Sequence, residues 1–398
     1  MTDDIFAQQL QALRARALDR HLREIGSAQG PIVDLVGKRL INFSSNDYLG
    51  LANDPQLREA AIAAIAEFGV GAGASRLISG TQSPHLRLEV ALAKWKGTQA
   101  ALSFSSGYAA AIGTLPALVA KNDVVLLDKL CHASLIDGAR LSGAIMRIFP
   151  HNHLGKLESH LEWAQREHAG KRVLIVTESV FSMGGDLAPL RELLDLKKRF
   201  GALLLLDEAH AIGVIGPNGR GVAAAEKLNE DVDVQMGTLS KALGVSGGYI
   251  CGSRSLIDWL INRARSFIYS TAPPPALAAA AMAAVDFLAS PDGEERRLLL
   301  RQRIKLMQEL LPNRSPATAN RFGKTVDHVS SAIFPWIVGA EQAAMDLARA
   351  LQKEGFFVPA IRYPTVAKGS ARLRVTVTAA HNDGQIRSLC EAIARLSA

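Results

Sequence analysis

Polar side chains that can take part in catalysis stand directly after four short apolar runs. In chain order, these runs with their polar followers are Val124–Leu127 with Asp128 and His132, Val173–Thr177 with Glu178 and Ser179, Leu203–Leu206 with Asp207 and His210, and Val232–Met236 with Thr238, Ser240 and Lys241. Short runs rich in Val, Ile and Leu, separated by helical stretches, predict parallel strands joined by crossovers. Ligands bind beyond the carboxyl ends of such strands. We therefore expect these polar groups to meet at one edge of a sheet.

A second feature of the sequence predicts a phosphate site. The stretch Ser105-Ser106-Gly107-Tyr108 lies between the apolar run Ala100–Phe104 and a helix predicted from about Ala109. Backbone N–H groups at the start of a helix point at an anion and stabilise it. Ser106, Gly107 and Tyr108 are therefore candidate phosphate ligands.

The combination of these groups matches what pyridoxal phosphate (PLP) requires of a protein. The cofactor's aldehyde needs an amine, which Lys241 supplies. Its pyridine nitrogen needs a carboxylate that keeps it protonated, and Asp207 is available. Its phosphate needs hydroxyl groups and a helix N-terminus, for which Thr238, Ser240 and the segment at Gly107 are candidates.

Two motif matches fail because their structural context is wrong. Asp207-Glu208-Ala209-His210 has the letters of a helicase acidic box, but no G-x-x-x-x-G-K-[ST] phosphate loop precedes it. Gly244-Val245-Ser246-Gly247-Gly248 has the letters of a hydrolase nucleophile elbow. That elbow needs a strand before it and a helix after it, and here the predicted order is reversed.

Three further features have simpler explanations. Gly69, Gly71 and Ala74 imitate a dinucleotide-binding fingerprint but follow a predicted helix rather than a strand. His151 and His153 lack supporting metal ligands nearby in the sequence, so we predict a surface loop and no metal site. Cys131 precedes His132 directly, and adjacent side chains rarely point at each other, so we predict a small buried residue rather than a nucleophile.

The elements that position these groups predict an α/β fold with a large, mostly parallel, doubly wound sheet and a smaller α+β domain at the carboxyl end. We predict three segments: an amino-terminal helix and strand segment (1–45), a large PLP-binding domain (46–290) and a small C-terminal domain (291–398). Within the first segment, the pattern predicts a helix over Ile5–Ile25 and a strand pair around the Gly37-Lys38 turn.

Composition excludes several classes of protein. Of the 398 residues, 48% are apolar and 21% charged, which excludes disorder. The net charge of +7 is not concentrated in a block, and the densest basic stretch, Glu294–Lys305, interleaves with leucines, so we expect no nucleic-acid partner. No secretory signal and no apolar run of about 18 residues is present, so we expect no membrane association. Three separated cysteines favour reduced thiols in a cytoplasm.

Five motifs together resemble the α-oxoamine synthases, which are fold-type I PLP enzymes of the aspartate aminotransferase superfamily. They are Asn42-Phe43-Ser44-Ser45-Asn46-Asp47-Tyr48-Leu49-Gly50, Ser105-Ser106-Gly107-Tyr108, Asp207-Glu208-Ala209-His210, Gly237-Thr238-Leu239-Ser240-Lys241-Ala242, and Arg372-Leu373-Arg374 with Thr378-Ala379-Ala380-His381. The resemblance covers nearly the whole chain in the right order. It implies an aspartate-aminotransferase-like fold.

The resemblance also implies a role for individual residues. Lys241 holds the cofactor and later removes the substrate's α-proton, while Asp207 pairs with the pyridinium nitrogen. The remaining implied contacts are His132 stacked on the ring; His210 and Ser179 on its 3-oxygen; Ser106, Gly107, Tyr108, Thr238 and Ser240 on the phosphate, with Ser270 or Thr271 from a partner subunit; Arg374 on the amino acid's carboxylate; and Asn46, His132, Arg20 and Thr365 at the substrates.

Within the family, the resemblance implies a decarboxylative condensation of L-alanine with a pimeloyl thioester, on CoA or acyl carrier protein, in biotin biosynthesis. The implied assembly is a homodimer with shared active sites. The alternatives are siblings with other substrates, such as glycine C-acetyltransferase, 5-aminolevulinate synthase or serine palmitoyltransferase. A non-catalytic scaffold subunit is disfavoured because Lys241, Asp207, His210 and His132 are all present.

Overall fold

The computed structural model describes residues 2–16, 18–311 and 331–397. Its strands are β1 (Ile32–Leu35), β2 (Lys38–Asn42), β3 (Ala100–Phe104), β4 (Val124–Asp128), β5 (Ile145–Phe149), β6 (Val173–Glu178), β7 (Leu203–Asp207), β8 (Val234–Thr238), β9 (Gly248–Gly252), β10 (Ile333–Gly339), β11 (Phe356–Phe357), β12 (Ala360–Ile361) and β13 (Ala371–Thr376). Its α-helices are α1 (Thr2–Ala15), α2 (Pro55–Phe68), α3 (Ser83–Lys96), α4 (Gly107–Leu118), α5 (Ala133–Leu141), α6 (Leu154–Glu167), α7 (Leu190–Phe200), α8 (Val222–Ala225), α9 (Arg254–Arg263), α10 (Arg265–Ile268), α11 (Pro275–Ala289), α12 (Pro291–Leu310), α13 (Glu341–Lys353) and α14 (Asp383–Leu396).

The chain forms two compact units. The larger unit comprises residues 47–182 and 186–298, and the smaller comprises residues 1–46, 183–185 and 299–398. The predicted division into three segments stays a prediction, because compactness does not test which parts fold independently.

The larger unit is built on a seven-stranded sheet in the order β3-β9-β8-β7-β6-β4-β5. Strands β4 to β8 pair in parallel, and β9 is antiparallel to both its neighbours, β3 and β8. The central strands are apolar and buried along nearly their whole length, as expected of strands covered on both faces. The predicted α/β class with a mostly parallel sheet is confirmed.

The smaller unit contains two three-stranded sheets. One has the order β1-β2-β11, where the antiparallel hairpin of β1 and β2 was predicted and the parallel partner β11 was not. The other has the order β10-β13-β12 and is antiparallel. The ring of Phe43 stacks on His381 at 4.2 Å between centroids, so residues from both ends of the chain share one core.

The predicted helix over Ile5–Ile25 is wrong in its second half, because α1 ends at Ala15. The apolar side chains of Ile5, Phe6 and Leu10 are exposed, so the helix has no buried face that would extend it. None of the described helices is long and apolar enough to cross a lipid bilayer.

Candidate active site

The carboxyl ends of β6 and β7 carry two buried acidic residues side by side. Glu178 is the last residue of β6 and pairs in register with Asp207, the last residue of β7. The backbone N–H of Ser179 donates to the Asp207 carbonyl at 2.8 Å, which fixes the two strand ends together. These strand ends therefore form the floor of the predicted site.

Asp207 is buried but ionisable. Its Oδ1 accepts a hydrogen bond of 2.9 Å from the backbone N–H of Ala209. Burial raises the pKa of Asp207 above its ordinary value, and this is opposed by the positive charge of Lys241, the hydrogen bond from Ala209 and the charge of His132. A buried carboxylate in this setting is stabilised by a cationic ligand group, as a pyridinium nitrogen would be.

Lys241 follows β8 in a turn closed by the N–H of Gly244, which donates to the Lys241 carbonyl at 2.9 Å. Its charge influences the pKa values of His132, Asp207 and Glu178, so its ammonium group lies near all three. The structure therefore places the predicted amine together with the predicted carboxylate.

His132 is the N-cap of α5, where its Nδ1 accepts a hydrogen bond from the N–H of Ser134 at 3.2 Å. Its own backbone N–H donates to Glu178 Oε1 at 2.5 Å. Desolvation of the imidazole, followed by the charge of Lys241, lowers the pKa of His132. The residue remains accessible to solvent, so a neutral imidazole face is available to a flat ligand.

The predicted phosphate residues also come together. The Oγ of Ser106 caps α4 by accepting from the N–H of Ala109 at 3.0 Å. A methyl group added at Gly107 would lie 3.5 Å from the side chain of Thr238, so the helix start adjoins the end of β8. Thr238 Oγ1 and Ser240 Oγ are 2.8 Å apart. Tyr108 is half exposed, and its hydroxyl donates to Asp137 at 2.9 Å.

The close approach behind this helix start requires glycine. A Cβ at Gly248 would lie 2.5 Å from the carbonyl oxygen of Ser106 and 2.6 Å from the backbone of Gly107. The result is a cradle of backbone N–H groups and two hydroxyls, a donor set that suits a phosphate.

Two residues that were predicted to contact the ring oxygen, His210 and Ser179, lie just beyond the ends of β7 and β6. His210 is buried, and its Nδ1 lies 2.7 Å from the hydroxyl of Tyr48. Ser179 is fully buried, and its Oγ has no hydrogen-bond partner among the described residues. Such a hydroxyl is rare in native proteins and points to a ligand or water.

The donor set fits PLP. The larger unit combines an amine at Lys241, a buried carboxylate at Asp207, an orphan hydroxyl at Ser179 and an anion cradle at Gly107. These are the groups that an aldehyde, a pyridinium nitrogen, a ring oxygen and a phosphate each need.

Other predicted site residues lie in the smaller unit. Arg374 is buried on β13, and its Nη1 donates to Asn46 Oδ1 at 3.0 Å. Arg20 and Thr365 are both exposed. Arg362 links their neighbourhoods, because its Nη2 donates to the Asp19 carbonyl at 3.2 Å and its own carbonyl accepts from the N–H of Thr365 at 3.0 Å.

Ser270 and Thr271 follow α10 and belong to the larger unit. Thr271 forms a β-bridge with Ser75, and the N–H of Ala272 donates to the Ala74 carbonyl at 3.0 Å. Ser270 is half buried and Thr271 exposed. Their contact with a partner subunit stays a prediction.

Sequence reasoning gave no role to two residues of the site, Glu178 and Tyr48. Glu178 was visible as an acidic residue at a strand end, and the register of β6 with β7 is the signal that pairs it with Asp207. The contact of Tyr48 with His210 joins residues 162 positions apart in the sequence, so no local pattern predicts it.

The chain belongs to the aminotransferase class I and II family, whose family model matches residues 38–393. Within that family its relatives include 8-amino-7-oxononanoate synthases. That of Geobacter sulfurreducens is 46% identical over 390 residues, which covers 98% of this chain and 97% of the relative.

Two solved structures resemble the fold over most of the chain. One is a serine palmitoyltransferase from S. paucimobilis, solved with a bound PLP–myriocin aldimine. Its TM-score is 0.89 and its sequence identity is 29%, and the match covers 99% of this chain and 96% of the serine palmitoyltransferase chain. The 8-amino-7-oxononanoate synthase of Francisella tularensis has a TM-score of 0.73 and 29% identity, covering 89% of this chain and 97% of its own. The predicted family and fold type are confirmed.

Proposed function

We propose that the protein condenses L-alanine with a pimeloyl thioester to give 8-amino-7-oxononanoate, releasing CO2 and the thiol carrier, as a step of biotin biosynthesis. The observation that carries this proposal is the 46% identity to an 8-amino-7-oxononanoate synthase over 98% of the chain. The protein is thus a PLP-dependent C-acyltransferase, and the alanine–pimeloyl pair is favoured over its siblings' substrates.

PLP, when bound, supplies an electron sink that stabilises negative charge at the α-carbon of alanine. Lys241 takes the α-proton and returns it after CO2 has left. An unperturbed lysine has a pKa of about 10.4, so its amine must be neutral to act as a base. Asp207, held by Ala209, keeps a proton on the ring nitrogen.

The other residues of the larger unit hold the cofactor. His132 would lie against the ring face, and its capping hydrogen bonds at the start of α5 fix its orientation. His210 and Ser179 would bond the ring's 3-oxygen, and the contact with Tyr48 sets the tautomer of His210. The residues that would hold the phosphate are Ser106, Gly107, Tyr108, Thr238 and Ser240.

The substrates are bound by Arg374, Asn46, Arg20, Thr365 and His132. Arg374 binds the carboxylate of alanine in a two-pronged hydrogen bond, with Asn46 holding the guanidinium at 3.0 Å. Pimeloyl ends in a free carboxylate, so its site needs a cation, and Arg20 is exposed for that role. The acyl donor is the CoA or the acyl carrier protein thioester.

The proposed assembly is a cytoplasmic homodimer in which Ser270 and Thr271 of one subunit reach the phosphate of the other. Exposed apolar side chains near that segment support an interface. Ile78, in the π-helix Arg76–Gly80, is 81% exposed, and Tyr269 is 71% exposed. The bridge from Thr271 to Ser75 places both groups on one surface.

The experiment that tests the substrate pair is a comparison of kcat/KM. Pimeloyl-CoA and pimeloyl-acyl carrier protein should be compared with acetyl-, succinyl- and palmitoyl-CoA, each with alanine, glycine and serine. We expect alanine with a pimeloyl thioester to be preferred, and alanine over glycine by only about 10- to 200-fold, because one methyl group is a weak discriminator. Preference for another pair would contradict the proposal, and a fully active monomer by light scattering would contradict the shared site.

A further inference from the structure

Two buried carboxyl groups lie next to each other at the ends of β6 and β7. Glu178 is 2% exposed and Asp207 is 5% exposed. Residues in register on neighbouring parallel strands are about 4.8 Å apart at their backbones and point to the same face. Two ionised carboxylates at this separation repel each other strongly when both are removed from water, so the pair is stabilised by one proton.

The surroundings of the two groups differ. Asp207 has the positive charge of Lys241 and the hydrogen bond from Ala209 in its favour as an anion. Glu178 faces Asp207, Asp128 and Lys241, and its Oε1 accepts from the backbone N–H of His132. Burial, together with the charge of Asp207, raises the pKa of Glu178 to about 8. Glu178 is therefore the member of the pair that holds the proton at neutral pH.

We propose that Glu178 is a positioning residue of the cofactor site: its neutral carboxyl group holds the backbone of His132 in place and leaves the negative charge of the pair on Asp207. The proposal rests on the assignment of this site to PLP and adds a residue to it. His132 is the N-cap of α5 and its own backbone N–H makes this contact, so the hydrogen bond sets where its imidazole lies. The neutral form of Glu178 keeps Asp207 available to the ring nitrogen.

Matched variants separate the two parts of the role. In Glu178→Gln the amide oxygen still accepts from the N–H of His132, and the side chain is permanently neutral. In Glu178→Ala the acceptor is lost. Thr177→Val is the control, since Thr177 is the preceding buried residue of β6 and points to the opposite face of the sheet.

The readouts are the dissociation constant of PLP, measured by reconstitution, and the visible circular dichroism of the bound cofactor. We expect Glu178→Ala to bind PLP about 10-fold more weakly with a reduced dichroic band, because the buried N–H of His132 loses its partner. Glu178→Gln should restore both to within about 3-fold of wild type, as a neutral isostere that keeps the hydrogen bond. The infrared difference spectrum of wild-type holoenzyme minus Glu178→Gln should contain a protonated-carboxyl C=O band at pH 6.5.

Three results would overturn the proposal. They are a Glu178→Gln variant as weak in PLP binding as Glu178→Ala, a folded Glu178→Ala variant with wild-type affinity and dichroism, or a difference spectrum with a carboxylate band in place of the protonated one. The infrared result decides the question even where Glu178→Ala fails to fold. A wild-type protein that binds no PLP at Lys241 would instead contradict the proposed function, so the two failures are distinguishable.

Discussion

Two consecutive acidic residues, Asp207 and Glu208, are both buried at the end of β7, yet the protein treats them differently. Glu208 is fully buried and forms an ion pair with Lys96, from Oε2 to Nζ at 2.6 Å. Its Oε1 accepts from the backbone N–H of Ala223 at 3.1 Å. Asp207 instead lies near Lys241 and His132, the side chains proposed to contact the cofactor.

The difference follows from strand geometry. Successive residues of a strand point to opposite faces of the sheet, so one acidic residue meets the protein interior and the other meets the strand-end cleft. On the interior face, Lys96 also donates to the carbonyl of Arg220, so the charge is compensated by the chain itself. Two adjacent acidic residues thus differ in their surroundings: Glu208 has a structural role, and Asp207 has the role proposed for it at the cofactor.

The largest effect on activity should come from replacing Lys241, the amine proposed to hold the cofactor. Lys241→Ala should still bind PLP, but kcat should fall by at least about 1000-fold, since the group that moves the α-proton is gone. Borohydride should fix a phosphopyridoxyl group on the Lys241 peptide of the wild type and none on the variant. Lys38→Ala, at an exposed position, is the control. A wild-type label on a different lysine would remove Lys241 from the site.

Asp207→Asn should separate catalysis from stability on the same face. We expect the exchange of the α-proton of alanine to slow by about 100-fold or more, because the developing charge loses its electrostatic support. The free energy of unfolding should not decrease, since a buried, partly compensated carboxylate is replaced by a neutral amide. The exchange can be followed by NMR in D2O, with Asp258→Asn as control. Wild-type exchange in the Asp207 variant would contradict the mechanism.

Glu208→Gln should show the reverse pattern. Removing one partner of the fully buried pair leaves Lys96 without its counter-charge, so the free energy of unfolding should fall by about 3–5 kcal/mol. The visible spectrum of bound PLP should keep its wild-type shape. Urea unfolding of the variant and of the exposed control Glu230→Gln measures the difference. If the free energy of unfolding falls no further than in the control, the ion pair of Glu208 with Lys96 does not have the structural role described above.

His151 provides a third, smaller case of a charge compensated within the protein. Its Nδ1 lies 3.1 Å from Asp128 Oδ1 and its Nε2 lies 2.5 Å from Asp186 Oδ2, so both nitrogens donate and the ring is an imidazolium. Burial lowers the pKa of His151, but the hydrogen bonds and charges of the two carboxylates outweigh it and raise the pKa to about 9.

Because this pKa lies above the unfolded value of about 6.5, the stabilisation is fully present below pH 6.5 and is lost as the pH rises through 9. We expect wild type to exceed His151→Gln in unfolding free energy by roughly 2 kcal/mol at pH 6, allowing for partial exposure of the ring, and to lose that margin by pH 10. Urea titrations at both pH values measure it. A margin that is independent of pH would contradict the ionic role.

Much of the larger unit was predictable because its strands are nearly continuous apolar runs. The strands ending at Glu178 and Asp207 agree with the apolar runs Val173–Thr177 and Leu203–Leu206 to within one residue. Because parallel strands end at one edge, the convergence of Asp207 and Lys241 also followed from the order of the elements.

The smaller unit was less predictable for a physical reason. The pairing of β2 with β11 joins Ile41 to Phe356, and no periodicity in either segment encodes a partner so far away. The end of α1 was missed because an exposed helix lacks the buried face that would fix its length. The Glu178 contact was missed because it depends on a backbone N–H, which every residue type other than proline supplies.

That same pairing of β2 with β11 has a consequence for synthesis on the ribosome. The hairpin of β1 and β2 leaves the exit tunnel about 300 residues before its partner strand exists. At about 5–20 residues per second, the delay is roughly 15 to 60 s. A two-stranded hairpin is marginally stable in water, and its unpaired edge is a template for pairing with other chains. The lifetime of this aggregation-prone nascent edge is therefore set by the speed of translation.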